Sequence, residues 1–559
     1  MGSDIETLHQ LFLDRVENTP DRVAYQFHSR KQGLWVDLRW RQIAGRVELW
    51  KQQLSEVVVD RGERLAILLE NSPDWIGVDQ AALSLGMVTV PLFFNDRAEN
   101  MAYVITHSGA KILILREMAQ WGALQPLVAA SALERVILIS SDWESSVELR
   151  TIWQRAHAVQ AESQPTPPND LATIIYTSGT TGNPKGVMLS HGNILENSRG
   201  ALSVAEIFPG DTFLSFLPLS HALERTVGCY LPMMAGATVA FARSAFTVQQ
   251  DLQDIQPTVL ITVPRLFEKV NERLEKKLAD ASGLMRWLVR MAERAGITHF
   301  LIQQGRARWG VAQLLYPLLD LVIGRKVRAA LGGRLRIVVS GGAPLISSIA
   351  DRFLGFGIPI LQGYGLTECG PVVSSNHPEA NYPDSVGEVL PKTELKIKED
   401  GGELLVRGPG IMLGYWGQPE ETDKVIDSGK WLHTGDVAEV RDNHLYITGR
   451  IKDILVLSNG EKISPADIEI AILQDPYIDQ VIIAGEGRPF LSALVVVNEQ
   501  GRAVTKQELS MRISSRMASF PGYAKVKRLI ILNESWTIEQ GLVTPTMKLR
   551  RERILEYYQ

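Results

Sequence analysis

The chain has 559 residues, of which 45% are hydrophobic and 22% charged, with a formal net charge of −5. That length exceeds one ordinary core, so two or more domains are expected, and the composition excludes a disordered, collagenous or membrane-embedded chain. Two cysteines, Cys229 and Cys369, stand too far apart in sequence to make a disulfide framework or a metal cluster, which favours a reducing compartment.

The opening Met1-Gly-Ser-Asp-Ile-Glu6 carries neither the basic-then-apolar pattern of a signal peptide nor a myristoylation pattern, so a cytoplasmic location is expected. The Pro-rich string Pro165-Thr-Pro-Pro-Asn-Asp170 leads into an apolar run at 171–175 that reads as a strand. A Gly/Thr-rich loop follows, and a helix is expected after Ser190-His191. The weakly polar run 227–242 is short for a bilayer span and is broken by Pro232 and Gly236. Apolar runs at 258–262 and 336–339 alternate with helical patterns, which predicts α/β layers.

From about Gly402 the texture changes to closely spaced strands at 403–407, 437–440, 445–448 and 454–457, with Arg441-Asp-Asn-His444 as a hairpin turn. Ser464-Pro465-Ala-Asp467 reads as a helix start with Ser464 as N-cap. Strands at 480–484 and 491–497, a helix near 506–517 and a strand at 529–532 complete a small unit. The fold class expected is α/β: a large N-terminal domain, 1–450, of layered α/β sheets plus a β-rich subdomain, then a small α+β C-terminal domain, 451–559.

Five strings carry chemistry. In Tyr176-Thr-Ser-Gly-Thr-Thr-Gly-Asn-Pro-Lys185-Gly, the glycines Gly179 and Gly182 free backbone N–H groups. Thr177, Ser178, Thr180 and Thr181 add rotatable hydroxyls, and Lys185 adds a cation, a set that suits a polyphosphate. Gly186 follows Lys185 where a Walker A loop needs Ser or Thr, so this is not the common P-loop. Leu361-Gln-Gly-Tyr-Gly-Leu-Thr-Glu368 offers an aromatic face at Tyr364, a hydroxyl at Thr367 and a carboxylate at Glu368, a hard oxygen donor of the kind Mg²⁺ prefers. Trp431-Leu-His-Thr-Gly-Asp436 places an acid after a Gly turn, suited to ribose hydroxyls. Gly449-Arg-Ile-Lys-Asp453 with Ser458-Asn-Gly-Glu-Lys-Ile-Ser-Pro465, and Gly541-Leu-Val-Thr-Pro-Thr-Met-Lys548-Leu-Arg, complete the series. Taken singly, each also fits a plain solvated loop, a capped glycine turn or a surface lysine.

Taken together and in order, the five resemble the adenylate-forming superfamily, most closely its bacterial long-chain fatty acyl-CoA synthetases. The resemblance implies ATP, Mg²⁺ and CoA as cofactor and co-substrates and a long-chain fatty acid as substrate. It assigns Thr177, Ser178, Gly179, Thr180, Thr181, Gly182 and Lys185 to the phosphates, with Gly341, Gly342, Ala343, Tyr364 and Gly365 also in the nucleotide set. Asp436 falls on the ribose and Arg450 on the nucleotide. Lys452 becomes the hinge of a mobile small domain, and Asn459-Gly460 the lining of the pantetheine channel. Thr367, Glu368, Lys548 and His221 are the catalytic candidates, with Thr177 and Glu368 at the metal; His221 fits a buried structural hydrogen bond equally well.

Phe216-Leu-Pro-Leu-Ser-His-Ala-Leu-Glu-Arg225 and Val263-Pro-Arg-Leu-Phe-Glu-Lys269 resemble the long-chain branch, and Leu231-Pro-Met-Met-Ala-Gly236 fits either an acyl tunnel or core. An acyl-carrier-protein ligase, or an acyl-adenylate ligase with another non-CoA acceptor, is the alternative. A binding protein without catalysis is disfavoured by the joint presence of Lys548, Glu368, Asp436 and Arg450.

Charge is unevenly spread. Residues 269–336 hold 14 Lys/Arg against 5 Asp/Glu, with Leu284, Trp287, Leu288 and Met291 at helical spacing, then Trp309, Leu314, Leu315, Leu318 and Leu319. Two readings stand: peripheral contact with the inner membrane face, or a surface helix whose apolar stripe packs on the core. Without a recognised motif, a nucleic-acid surface is not expected.

Overall fold

In the computed structural model, the described residues are 5–55, 60–139, 149–154, 166–177, 183–518, 520–544 and 548–558. They divide into two compact units. The first comprises Met1–Thr177, Pro184–Glu394 and Val406–Leu432; the second comprises Ser178–Asn183, Leu395–Leu405 and His433–Gln559.

Among the described residues, the first unit holds a nine-stranded and an eight-stranded sheet. The nine-stranded sheet is parallel through Val23–His28, Thr238–Phe241, Thr212–Ser215, Val259–Thr262, Ile337–Ser340 and Ile360–Gly365. Short, continuously apolar strands with helices between them are what a parallel sheet covered on both faces requires. The eight-stranded sheet is parallel from Leu171–Thr177 through Val88–Pro91, Arg64–Leu68, Ile112–Leu115 and Arg135–Ile139. Leu113, Val136 and Ile174 lie in its buried core.

Helix His191–Val204 begins where expected. Ser190 accepts from the Asn193 N–H while the Asn193 side chain returns to the Ser190 N–H, closing a capping box. Helix Pro73–Ser84 has Ser72 as its N-cap and is buried from Pro73 to Leu83. It carries Asp74 and Asp79 into the core, and each of these acids meets an arginine there. The run 227–242 does not form one continuous element. It makes a π-helical segment, Glu224–Tyr230, then helix Leu231–Ala235, and Gly236 (φ 72°) ends it ahead of strand Thr238–Phe241.

Among the described residues, the second unit carries a four-stranded sheet, a two-stranded hairpin and a three-stranded sheet. In the hairpin of Leu432–Arg441 with His444–Arg450, Asp442 (φ 48°) and Asn443 (φ 64°) are both left-handed. This is the double positive φ that a tight two-residue turn between twisted strands demands. The string around Asp436, read as a glycine turn, instead runs within the strand Leu432–Arg441. Ser464 stands at the start of helix Pro465–Leu473 but makes no side-chain cap bond, contrary to expectation. Ile468, Ile472, Val481, Val495, Leu509 and Ile513 form a core between the three-stranded sheet and its helices. No described helix is long and apolar enough to cross a membrane.

Candidate active site

The phosphate-type loop lies between two antiparallel strands. Thr177 ends Leu171–Thr177 opposite Lys185, and Tyr176 faces Gly186. Ser178, Gly179, Thr180, Thr181 and Gly182 lie outside the described residues. At Gly186 a Cβ would stand 2.8 Å from the Ile174 side chain and 3.0 Å from the Tyr176 ring, so close strand packing requires glycine there.

Lys185 Nζ donates to Glu421 Oε2 at 2.6 Å and lies 4.9 Å from the centroid of the Tyr415 ring. Hydrogen bonds from Lys185 first, and then from Lys424, hold the Glu421 carboxyl down at about 2. Tyr415 reaches this place because the two-residue strand Gly414–Tyr415 pairs with Lys185–Ser190, Tyr415 opposite Val187. Its hydroxyl donates to Glu368 Oε1 at 2.9 Å. One tyrosine thus has the lysine of the first string on its face and the glutamate of the second at its tip.

Glu368 sits in the 3₁₀ turn Thr367–Cys369, and its carbonyl accepts from the Met412 N–H at 2.9 Å. Tyr364 and Gly365 are in strand Ile360–Gly365, which runs parallel beside Ile337–Ser340. A Cβ on Gly365 would lie 1.9 Å from the Pro371 carbonyl oxygen, so that crossing admits no side chain. Gly341, Gly342 and Ala343 follow directly on Ile337–Ser340, and Gly342 is left-handed at φ 81°. Both motif loops therefore leave the C-terminal ends of adjacent parallel strands, where open α/β sheets place their ligand crevices.

His221 precedes the π-helical segment, and its Nδ1 accepts from the Leu223 N–H at 3.2 Å. That bond commits Nδ1 to the backbone, so any substrate contact runs through Nε2. Arg225, from the same string, is fully buried and donates to Thr173 Oγ1 at 2.6 Å, Thr89 Oγ1 at 2.7 Å and the Asp79 carboxylate, which also accepts from Tyr230. It joins the π-helical segment to helix Pro73–Ser84 and to the eight-stranded sheet. Glu224 is buried as well. A Cβ on Gly228 would lie 2.6 Å from its carboxyl carbon, and burial pushes its pKa up to about 8, with the Ser215 hydroxyl offsetting part of the rise. Leu231, Pro232, Met233, Met234 and Ala235 are all buried.

In the second unit Asp436 pairs across the hairpin with Arg450, whose Nε donates to Asp436 Oδ1 at 2.7 Å. The Asp436 N–H donates to Thr434 Oγ1 at 3.1 Å. Lys452 is exposed in the 3₁₀ turn Ile451–Asp453. Asn459 and Gly460 form the exposed turn of the hairpin Leu455–Val456 with Lys462–Ile463, where Gly460 has φ 84° and Asn459 Oδ1 accepts from the Glu461 N–H at 3.2 Å. Lys548 is exposed, its N–H donating to Thr544 Oγ1 at 3.0 Å; the three residues before it lie outside the described set.

Sequence reasoning missed Tyr415 and Glu421. They lie in the two-residue strand Gly414–Tyr415 and the helix Pro419–Asp423, outside every string singled out in the sequence. Only long-range strand pairing brings them to Lys185.

This chain and its architecture have counterparts among known proteins. Family models for the AMP-binding enzyme and for the AMP-binding enzyme C-terminal domain match residues 12–416 and 452–559. The long-chain-fatty-acid–CoA ligase FadD15 of Mycobacterium bovis is 30% identical over 98% of this chain and 95% of that protein. The peroxisomal long chain acyl-CoA synthetase 7 of Arabidopsis thaliana is 27% identical over 99% of this chain and 85% of that protein. Among solved structures, the adenylation domain of a carboxylate reductase from Mycobacterium chelonae shares the fold, with a TM-score of 0.77 at 22% identity, covering 100% of this chain and 90% of that one. The chain belongs to the AMP-binding enzyme family, the adenylate-forming superfamily, and within it is most like the fatty acyl-CoA synthetases. It is an ATP-dependent ligase.

Proposed function

We propose that the protein is a long-chain fatty acid–CoA ligase that converts fatty acid, ATP and CoA to acyl-CoA, AMP and diphosphate through an acyl-adenylate. The observation that carries this reading is near full-length similarity to a long-chain-fatty-acid–CoA ligase. Beside it stands the Lys185–Tyr415–Glu368 cluster, in which the lysine and the carboxylate that we assign to phosphate and metal share one tyrosine.

In the first half-reaction the fatty carboxylate attacks the α-phosphorus of ATP and diphosphate leaves. The chain's contribution is positioning and charge neutralisation. Lys185 and the loop from Thr177 to Gly182 hold the phosphates, Tyr364, Gly365 and 341–343 enclose the base, and Asp436, oriented by Arg450, takes the ribose. Lys548 stabilises the α-phosphate and the carboxylate oxygen. Glu368 and Thr177 offer oxygen donors, one Glu368 oxygen being oriented by the Tyr415 hydroxyl, a set that fits Mg²⁺. When bound, Mg²⁺ neutralises phosphate charge.

In the second half-reaction the small domain, 451–559, turns about Lys452, withdrawing Lys548 and bringing Asn459-Gly460 to the pantetheine. The CoA thiol then attacks the acyl carbonyl and AMP leaves. We place the enzyme in the cytoplasm, in peripheral contact with the inner membrane face through 269–336.

The testing experiment is AMP formation from ATP and palmitate, with and without CoA, alongside octanoate and acetate. CoA-dependent turnover favouring palmitate is expected. Adenylate that accumulates without CoA stimulation would replace this reading with an acyl-carrier-protein ligase or a fatty acyl-AMP ligase with another non-CoA acceptor.

A further inference from the structure

Just beyond Lys548 the chain enters helix Arg551–Tyr557, and the first residue of that helix is ion-paired to Glu469 of helix Pro465–Leu473. Arg551 Nη2 donates to both Glu469 oxygens, at 2.6 and 2.7 Å, and Nη1 donates to the Ile483 carbonyl at 2.8 Å. The Ile483 N–H donates in turn to Glu469 Oε1 at 2.7 Å. The two side chains are only 16% and 14% exposed, so little water screens the contact. Burial pushes the Glu469 carboxyl up from its ordinary value, and Arg551 with the Ile483 N–H pulls against that rise.

Among the described residues, strand Ile478–Ala484 is an edge of the three-stranded sheet. An edge strand leaves alternate N–H and C=O groups without a sheet partner, and away from water each still needs one. At Ile483 one acceptor and one donor are required side by side, which a carboxylate next to a guanidinium supplies. The two helices cover opposite faces of the sheet. Ile468 and Ile472 pack with Val481, Ile483 and Val495 on one face. Ile554 packs with Ile482, Leu494 and Val496 on the other, since successive strand side chains alternate. Arg551 and Glu469 therefore meet around the sheet edge and join the two layers.

The backbone around Lys548 belongs to the second face. Val543 bridges Leu549, and both pack into the core that holds Ile554. The Lys548 N–H donates to Thr544 Oγ1 at 3.0 Å, and the Lys548 carbonyl accepts from the Thr544 N–H at 2.8 Å. The Arg550 N–H donates to the Leu542 carbonyl at 2.9 Å, and the next residue is Arg551. We propose that Glu469 and Arg551 are positioning residues: clasped around the sheet edge at Ile483, they hold the Lys548 segment at a fixed place on the small domain. Neither needs to touch the substrate. A cation that stabilises a transition state works only as far as its position is set in advance. The inference rests on the role given to Lys548 in the functional reading above and adds what fixes that lysine.

The test compares the full chain with Glu469→Gln/Arg551→Met and with Arg551→Lys. The double variant removes both charges together, so no buried charge is left unpaired, and the glutamine carbonyl still accepts from the Ile483 N–H. Cys229 and Cys369 are buried, so a thiol-reactive nitroxide on Lys548→Cys reports on that segment. Without nucleotide, its spectrum is expected to be broad in the otherwise wild-type chain, to sharpen in the double variant and to stay broad with Arg551→Lys. With Lys548 in place, ATP–diphosphate exchange is expected to fall roughly 10- to 100-fold in the double variant, as for a misplaced catalytic group. Thioester formation from supplied acyl-adenylate is expected to survive, and Arg551→Lys to recover most of the exchange. An unchanged line shape in the double variant would overturn the proposal. So would equal losses in both half-reactions with a lowered melting temperature, the mark of a pair that merely holds the small domain together. Lys548→Ala, run alongside, separates the two failures. Wild-type exchange in that variant would sink the functional reading of Lys548, whereas the line shape judges the clasp without substrate.

Discussion

Tyr415 donates its hydroxyl to Glu368 Oε1 at 2.9 Å. Glu368 comes from the turn after strand Ile360–Gly365, and Tyr415 from a two-residue strand on the edge of the other sheet of the first unit. The bond fixes one carboxylate oxygen, while the same ring seats the Lys185 ammonium. Acid and base are thereby held in register about one ring.

Tyr415→Phe keeps the ring under Lys185 and removes only the hydroxyl. A hydrogen bond to a charged group contributes about 1.5–3 kcal/mol, so adenylation measured by ATP–diphosphate exchange is expected to fall roughly 10- to 100-fold. Tyr415→Ala, which also unseats Lys185, is expected to fall further. Exchange at the wild-type rate in Tyr415→Phe would mean Glu368 needs no such orientation.

Lys548→Ala is expected to slow adenylation by about 10²–10³-fold, as for the loss of one preorganised donor. Thioester formation from supplied acyl-adenylate and CoA is expected to survive. Lys452→Pro restricts φ at the proposed hinge and is expected to give the reverse, with the thioester step hurt more. Equal losses in both half-reactions would refute the division of labour.

Arg225 is fully buried and ion-paired to Asp79. Arg225→Leu leaves that carboxylate buried without its cation, a change that costs about 3–5 kcal/mol of stability. Urea denaturation is expected to show a midpoint well below wild type. An unchanged midpoint would contradict the structural role assigned to this residue.

Glu224 carries a pKa raised by burial to about 8, above its unfolded value. The folded state therefore holds a proton that the unfolded state has released. The stability this proton supplies is fully present below the unfolded carboxylate value and is lost as pH climbs towards about 8. Glu224→Gln keeps the shape without the titration, so the variant is expected to melt like wild type near pH 5 and above it at pH 8. Parallel melting curves across that window would rule out a neutral buried Glu224.

Much of the layout was legible from local pattern. The strand Leu171–Thr177, the capped helix at His191, the Asp442–Asn443 hairpin and the small α+β unit all rest on short-range causes: apolar runs, side-chain caps and residues tolerant of positive φ. The order of the five strings carried the family, because five such strings in one order are far more specific than any of them alone. His221 shows the limit. Its string was legible, but not that Nδ1 is taken by the Leu223 backbone.

What the sequence alone determined is which chemical groups this protein owns and in what order. The tertiary structure decided which of them meet. Tyr415 lies 230 residues from Lys185 in the chain, yet the pairing of Gly414–Tyr415 with Lys185–Ser190 sets one over the other. Arg225, legible as part of a string resembling the long-chain branch, meets Asp79 in the fold, because a buried cation must find an anion wherever the fold provides one. The leucines from Leu314 to Leu319 were visible as an apolar cluster, but the direction they face was not. A repeat of apolar residues says that a helix has an apolar face, and only packing says whether protein covers it.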